Sequence, residues 1–555
     1  MEMKDQKLVV IIGGGLAGMS SAIEAFLSAS KAASSNENIM VKLLDKEPRL
    51  GGNSAKASSG INGVGTKTQV QYGVTDSIDL FSADTVKSGK GLSNQVLVNK
   101  LVGDSKDAVE WLQSFFELDL DVLAQLGGHS AKRTHRRPDL PDGRPQPVGF
   151  GITSTLSKWL TSTSEKSNGR LSIEVNSKVK KILKDENGKV NGIVYTANGT
   201  DTEVTLPVSA IILATGGFGG ESGDPEHSVF LKKYASDYLG LPTTNGQFAT
   251  GDGIFLGQGV GADTVDLDQV QVHPTGFVSS KDPNSKTKFL AAEALRGEGG
   301  LLLNGLGKRF VNELGTRDAV TDSIWKHCST HTTSANALHK DNNNQSLPNK
   351  FSASRAYLVL SKEAAKKFGG GALGFYAKMG LMNKSESLED LASSIGVNVD
   401  VLRNELLKYE LAKHSLIKDP FGKSVFPASV FDTEFTPKQL DSLSKALKSE
   451  EKLEKVLESQ MSEFVDKDGK SSLLNGEYYW GVITPSIHYT MGGLKFNDKA
   501  QVLNQNGAAV SGLFAAGEVT GGLHGANRLG GNSLLECVVY GREAGRQSVS
   551  YASKL

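Results

Sequence analysis

Glu293 and Arg296 stand three residues apart in Ala291-Ala292-Glu293-Ala294-Leu295-Arg296-Gly297, and Arg317 follows a Gly315-Thr316 turn. On a helical turn Glu293 and Arg296 share a face, close enough to exchange a hydrogen bond or a proton. A turn just before Arg317 can aim its side chain into a pocket. In isolation such a Glu-x-x-Arg is ordinarily a solvated ion pair. Three more candidates stand in short polar motifs. His273 lies in Gln271-Val272-His273-Pro274-Thr275, His488 in Ile487-His488-Tyr489-Thr490-Met491-Gly492-Gly493, and Arg528 in His524-Gly525-Ala526-Asn527-Arg528-Leu529-Gly530-Gly531. Taken singly, His273 before a proline reads as a turn residue and His488 as a core histidine. Their meaning depends on the frame that holds them.

That frame opens with a buried-strand pattern, Lys7 to Ile12, then Gly13-Gly14-Gly15-Leu16-Ala17-Gly18 and an alanine-rich helix to about Ser30. A second strand, Met40 to Leu44, ends at Asp45. Gly13-x-Gly15-x-x-Gly18 between a strand and a helix, with an acid closing the next strand, is a dinucleotide fingerprint. The glycines let the backbone approach a pyrophosphate at the helix N-terminus, and Asp45 would accept hydrogen bonds from a ribose. The Gly18-to-Asp45 spacing is longer than usual, and Ala32 to Asn38 reads as an inserted surface loop that accounts for it. Two further buried strands, Ala210 to Leu213 and Ser511 to Ala515, run into Ala214-Thr215-Gly216-Gly217 and Ala516-Gly517-Glu518. Rossmann-like material at both ends implies an insertion between them. The expected fold class is α/β: a Rossmann-like domain over 1–268 and 489–555, with an inserted α+β capping domain over 269–488. Helices are expected in the cap at Leu388 to Ile395, Val399 to Leu411 and Pro437 to Gln460.

Composition narrows the chemistry. Lys+Arg and Asp+Glu each total 61 in 555 residues, so no global field draws nucleic acid or an anionic membrane. Apolar runs are strand-sized, so no segment should span a bilayer and the chain is expected to be soluble. The two cysteines, Cys328 and Cys537, can build neither a disulfide framework nor an iron–sulfur cluster. Redox work must therefore run on an organic cofactor, with electrons delivered from outside. His327, Cys328, His331 and His339 could be taken for metal ligands, but their polar surroundings favour an exposed insertion, and no metal is expected. The start at Met1 leaves no room for a presequence, and Ser553-Lys554-Leu555 matches a peroxisomal address. The expected location is a peroxisome or related microbody, with the cytoplasm as alternative.

Together these motifs resemble the soluble fumarate reductases of the fumarate reductase/succinate dehydrogenase flavoprotein family, and the resemblance covers nearly the whole chain. It implies FAD rather than NAD. By resemblance the cradle comprises Gly13, Gly15, Leu16, Ala17, Gly18, Asp45, Lys46, Gly52, Asn53, Ser54, Ser59, Gly60, Ala214, Thr215, Gly216 and Asp252, met from the C-terminal side by Glu518, Ser533 and Leu534. Membrane-complex relatives carry a histidine that bonds the flavin; Ala55 stands there, so FAD should be non-covalent. The resemblance further implies hydride transfer from reduced flavin to fumarate, giving succinate. Arg528 and His488 would hold one carboxylate, with Arg528 suited to bidentate pairing, and His273 would hold and twist the other. Arg317 would donate the proton, reloaded through Arg296 and Glu293. Arginine rarely gives up a proton, but a carbanion beside a carboxylate is far more basic than a neutral guanidine. The milder alternative is that Arg317 only stabilises negative charge. Ala292 replaces a threonine that the family uses to bind a carboxylate.

The partners implied are a small dicarboxylate and an external electron donor. The run from Leu126-Gly127-Gly128-His129-Ser130 to Arg133-Thr134-His135-Arg136-Arg137 lines the flavin region, receives an anionic donor such as a reduced flavin nucleotide, or is a solvated basic loop. The rival enzymes are L-aspartate oxidase, disfavoured by Met491 and Leu529-Gly530-Gly531, and a succinate dehydrogenase subunit, disfavoured by Ala55. The non-enzymatic rival is an inactive flavoprotein scaffold.

Overall fold

In the computed structural model, which describes residues 7–32, 38–141, 146–328, 354–432, 435–449 and 476–555, the strand Lys7–Ile12 lies inside a six-stranded sheet. It pairs in parallel with Ile39–Leu44 on one side and Ala210–Leu213 on the other. Leu171–Glu174 extends the sheet past Ile39–Leu44, and Ala509–Ala515 and Gln501–Leu503 extend it past Ala210–Leu213. Successive side chains point to opposite faces. Val9 and Ile11 pack under the helices Leu16–Ala32 and Asn532–Ser553, while Val10 and Ile12 join Ile193 and Tyr195 on the other face. Two covered faces explain why the strands read as unbroken apolar runs.

A second sheet is antiparallel, in the order Phe289–Leu290, Val270–Phe277, Tyr478–Thr490, Ala356–Ser361, Leu301–Leu303. The expected helices beside it are present as Leu388–Ile395 and Val399–Lys413, each capped by a side chain, from Ser387 and Asn398. The third is described as Pro437–Ser449; the remainder of its expected span lies outside the described residues. This is the expected α/β architecture, a Rossmann-like sheet together with an α+β unit. Among the described residues no helix is long and apolar enough to cross a membrane.

Glu313 ties the second unit together beneath the site. Its carboxylate accepts from Arg309 Nε at 2.8 Å and from Lys423 Nζ at 2.8 Å, while Arg309 Nη1 reaches Asp419 at 2.7 Å. The four side chains are at most 1 % exposed. Removing one member of a buried ionic cluster strands the charge left behind. Glu313→Ala should therefore destabilise the protein by about 3–5 kcal/mol, chiefly through Lys423. Chemical denaturation of the two proteins reads this directly; an unchanged midpoint would show that Lys423 finds another partner.

Candidate active site

The strand Val270–Phe277 carries Pro274, which has no N–H to donate to a sheet ladder. Its pairing with Tyr478–Thr490 shifts register between His273 and Gly276, and His273 ends opposite Ser486. The His273 and His488 rings lie 5.1 Å apart, centroid to centroid. Thr275 N–H donates to His273 Nδ1 at 3.2 Å. A backbone N–H can only donate, so neutral His273 carries its proton on Nε2. That Nε2 is buried without a partner among the described residues, an unspent donor. Burial and the nearby Arg317 hold both histidines well below the usual imidazole range, so they meet a ligand neutral. His488 is fixed by Thr244 Oγ1, 2.8 Å from its Nδ1.

Arg317 is the first residue of the helix Arg317–His327, and Thr316 before it has extended geometry. Its Nε donates to Glu293 Oε2 at 2.9 Å, its Nη2 stands 2.8 Å from the same oxygen as an ion pair, and its Nη1 donates to Gln271 Oε1 at 3.0 Å. Glu293 Oε1 accepts from the Gly127 amide at 3.1 Å. Burial resists ionising Glu293, but Arg317 and Arg296 outweigh it and bring the carboxyl down to about 2. Glu293 is thus a carboxylate across the neutral range. The linkage has a definite sign: the stabilisation is complete above the ordinary carboxyl range and is lost as pH falls toward 2.

Arg296 behaves differently from its expected role. The helix Glu293–Gly297 does bring it beside Glu293, yet its Nη1 bonds the Glu313 carbonyl, while its Nε and Nη2 have no partner among the described residues. Its influence on Glu293 is electrostatic, through charge rather than a shared hydrogen bond. Arg528 donates from Nη1 to the Leu529 carbonyl at 3.1 Å, and its buried Nε is unpaired among the described residues. Its guanidinium lies 4.2 Å from the Tyr489 ring centroid. The Tyr489 hydroxyl donates to Glu536, which also meets His524 Nε2 at 2.6 Å. The cation is therefore backed by a ring and a buried carboxylate while its Nε stays unspent.

Arg317, His488 and Arg528 line a cavity of about 830 Å³ that is lined also by Gly13, Gly15, Asp45 and Lys46. The same wall includes Leu16, Ala17, Gly52, Asn53, Ser54, Ala55, Ser59, Gly60, Ala214, Thr215, Gly216, Asp252, Glu518, Ser533 and Leu534. Glu293, Arg296 and His273 are not in this wall; Glu293 stands directly behind Arg317. Gly18 also stands back. A Cβ there would fall 1.7 Å from the Gly13 carbonyl, so this glycine serves close packing of helix on strand. Cys328 is buried and His327 exposed; His331 and His339 lie outside the described residues. Among the described residues no group of three candidate ligands could hold a metal.

Three comparisons bear on this geometry. The family profile described as an FAD binding domain matches residues 9–534. The chain belongs to the FAD binding domain family. Fumarate reductase 1 of Saccharomyces cerevisiae is 40% identical over 540 residues, 97% of each chain. The Schizosaccharomyces pombe fumarate reductase is 36% identical over 555 residues, covering 99% of this chain and 91% of its own. A flavocytochrome c3 fumarate reductase, solved in an open conformation, superposes with a TM-score of 0.67 at 29% identity, covering 99% of this chain and 79% of the other.

The cofactor of this FAD binding family member is FAD, and the cradle fits it. Gly13 has φ +108, and a Cβ there would lie 2.3 Å from the Ala214 carbonyl, so only glycine brings the backbone this close. Asp45 lines the cavity and takes the Gly14 amide at 2.5 Å on one oxygen and the Glu47 amide at 2.7 Å on the other. Lys46 pairs with Asp252 at 2.8 Å, so those two cavity residues hold each other. Burial raises Glu518 to about 7.

Gln271, Gly127 and Thr244 were not singled out by sequence reasoning as site residues. Gln271 had one usable signal, its i, i+2 spacing from His273 on a strand. Register shifts on either side of Val272 and His273 blur that alternation.

Proposed function

We propose that this protein is a fumarate reductase, holding FAD without a covalent link and reducing fumarate to succinate. The observation that carries the reading is one cavity joining the dinucleotide cradle to Arg317, His488 and Arg528, with Glu293 bonded to Arg317. When bound and reduced, FAD supplies the hydride. The chain supplies the rest. Arg528 and His488 hold one carboxylate, and His273, standing behind the cavity wall beside His488, would turn its unspent Nε2–H to the other. Arg317 delivers a proton across the double bond; Glu293, bonded to it directly, orients it and helps restore its charge, and Arg296 acts on Glu293 through its own charge. Hydride and proton together balance the two-electron reduction. His273, Glu293, Arg296, Arg317 and Arg528 are buried and His488 is half-buried, which limits the access of competing water. Residues 269–488 form the cap over this chemistry, with His273 and His488 near its two junctions.

Anaerobic reoxidation of the reduced protein by a panel of unsaturated acids tests the reading. Fumarate should reoxidise it rapidly; failure of every acid would favour the inactive scaffold. Ala55 lines the cavity and carries no nucleophile, which supports non-covalent attachment. Acid precipitation should release all yellow colour, and colour kept by the washed pellet would contradict it.

The electron donor is assigned to an anionic carrier with a planar ring, such as a reduced flavin nucleotide. The cavity walls include the exposed Phe150, Phe289 and Phe375 together with half-buried Arg136 and Arg137, a combination suited to ring stacking and phosphate pairing. A peroxisomal address is proposed from Ser553-Lys554-Leu555, whose last two residues are exposed to a receptor. An N-terminal fluorescent fusion should lose its punctate distribution when the tripeptide is removed; identical distributions would make the match accidental.

A further inference from the structure

His129 lies in the turn between the short strands Val122–Ala124 and Thr134–Arg136, only 7 % exposed and outside the cavity wall. Its Nε2 is 3.0 Å from the Gly530 carbonyl oxygen, and its Nδ1 is 3.2 Å from Arg133 Nη1. A carbonyl can only accept and a guanidinium can only donate. Both neighbours therefore demand the same neutral tautomer, with the proton on Nε2. Burial and the Arg133 charge lower this histidine to about 4, in keeping with a ring that never charges near neutrality.

Arg133 is itself immobile. It is fully buried, donates to both oxygens of Asp76 at 2.9 and 2.8 Å, and also pairs with Asp84, which accepts from Ser130. Gly530, at the other end of the His129 bond, is pressed against the catalytic pair. A Cβ placed on it would lie 3.2 Å from Arg317 Nη2 and 3.3 Å from Glu293 Oε2. The same turn reaches Glu293 a second time through the Gly127 amide. Asn62 Nδ2 donates to the Gly530 carbonyl at 2.8 Å, so that oxygen is held from two directions.

We propose that His129 is a positioning residue: by donating from Nε2 to the Gly530 carbonyl, it holds the Arg528–Gly531 turn against the Glu293–Arg317 pair. Without it the Gly530 carbonyl keeps only the Asn62 side-chain bond, and the peptide can pivot between the flanking Leu529 and Gly531 carbonyls, which the Asn532 and Asn62 amides hold at a longer 3.3 Å. Arg528 would then drift from the carboxylate it grips, and Arg317 would lose the wall that keeps its guanidinium on Glu293. The inference rests on the fumarate reductase reading for its kinetic consequence, but not for its tautomer.

The experiment compares wild type with His129→Ala and His129→Gln, all loaded with FAD and with rates expressed per bound FAD. An alanine cannot donate, whereas a glutamine amide places an N–H close to the position of Nε2. His129→Ala should lower kcat/KM for fumarate by roughly ten- to hundredfold, the scale of an ångström-sized misplacement. Both KM and kcat should move, and His129→Gln should recover most of the loss. Alanine kinetics within twofold of wild type, or glutamine no better than alanine, would overturn the proposal; a purely structural role would alter FAD content or melting without changing rates per FAD. If wild type itself does not reduce fumarate, the functional reading fails, and long-range nitrogen NMR of histidine-labelled protein decides this one. A neutral Nε2–H tautomer for His129 from pH 5 to 8, assigned by its loss in His129→Gln, supports it. An Nδ1–H tautomer or a charged ring sinks it.

Discussion

Arg317→Ala is expected to nearly abolish fumarate reduction while FAD stays bound. Arg317 lines the wall of the cavity, and its two hydrogen bonds and its ion pair go to Glu293 and Gln271. Truncation therefore removes the proposed proton donor and leaves a buried carboxylate facing an empty space. General acid catalysis alone contributes roughly a hundredfold to ten-thousandfold, and loss of a cation beside the developing carbanion adds to it. Arg317→Lys should keep measurable but poor turnover, because an ammonium can give a proton yet cannot reach Glu293 and Gln271 together. Glu293→Gln separates the two roles available to Arg317. If Arg317 gives up its proton, the amide should leave substrate affinity alone and slow turnover, with a solvent isotope effect. If Arg317 acts only through its charge, Glu293→Gln should matter little and the isotope effect should be near unity. Retention of even a tenth of wild-type turnover by Arg317→Ala would rule out the proton-donor role.

The parts of this molecule that could be read from its sequence are those whose information is local. Val9 to Ile12 announce a doubly buried strand by composition, and the glycines after it announce a close backbone approach, because both signals lie within a few residues. The helix Leu388–Ile395 carries its own cap and its own apolar face, so its limits were legible to the residue. The identities of Arg317, Glu293 and Arg528 came from motif resemblance, but their contacts did not. The Gln271–Arg317, Gly127–Glu293 and Thr244–His488 bonds join residues 46, 166 and 244 positions apart, and no periodicity encodes such pairs. Arg296 shows the same limit from the other side. Its spacing from Glu293 correctly implies a shared helical turn, yet the Glu313 carbonyl, supplied from beyond the next strand, captures its guanidinium. Helical proximity decided the neighbourhood; tertiary packing decided the partner.

Arg528→Ala should raise the fumarate KM far more than it lowers turnover, in contrast to the Arg317 series. Arg528 is 4 % exposed, its Nε has no partner among the described residues, and its face rests on Tyr489 with Glu536 and His524 behind. That arrangement suits a cation waiting for a carboxylate. Deleting one partner of a buried charged pair costs about 2–5 kcal/mol, which is roughly thirty- to several-thousandfold in affinity. Arg528→Lys should recover only part of this, since an ammonium lacks the planar fork that grips both carboxylate oxygens. The charge change also carries a pH signature. Burial is the main reason His488 is hard to protonate, and Arg317 and Arg528 add to it by repulsion. Removing Arg528 lifts one of those repulsions, so the His488 imidazole moves upward toward its ordinary range. A protonated His488 could then supply some of the missing positive charge, and residual kcat/KM of Arg528→Ala should rise as pH is lowered relative to wild type. Arg528→Lys keeps the repulsion and should show no such rise. Steady-state fumarate kinetics of the three proteins across mildly acidic to neutral pH measure both effects. A KM within threefold of wild type in Arg528→Ala would remove Arg528 from the carboxylate site and leave His488 and His273 as the anchors.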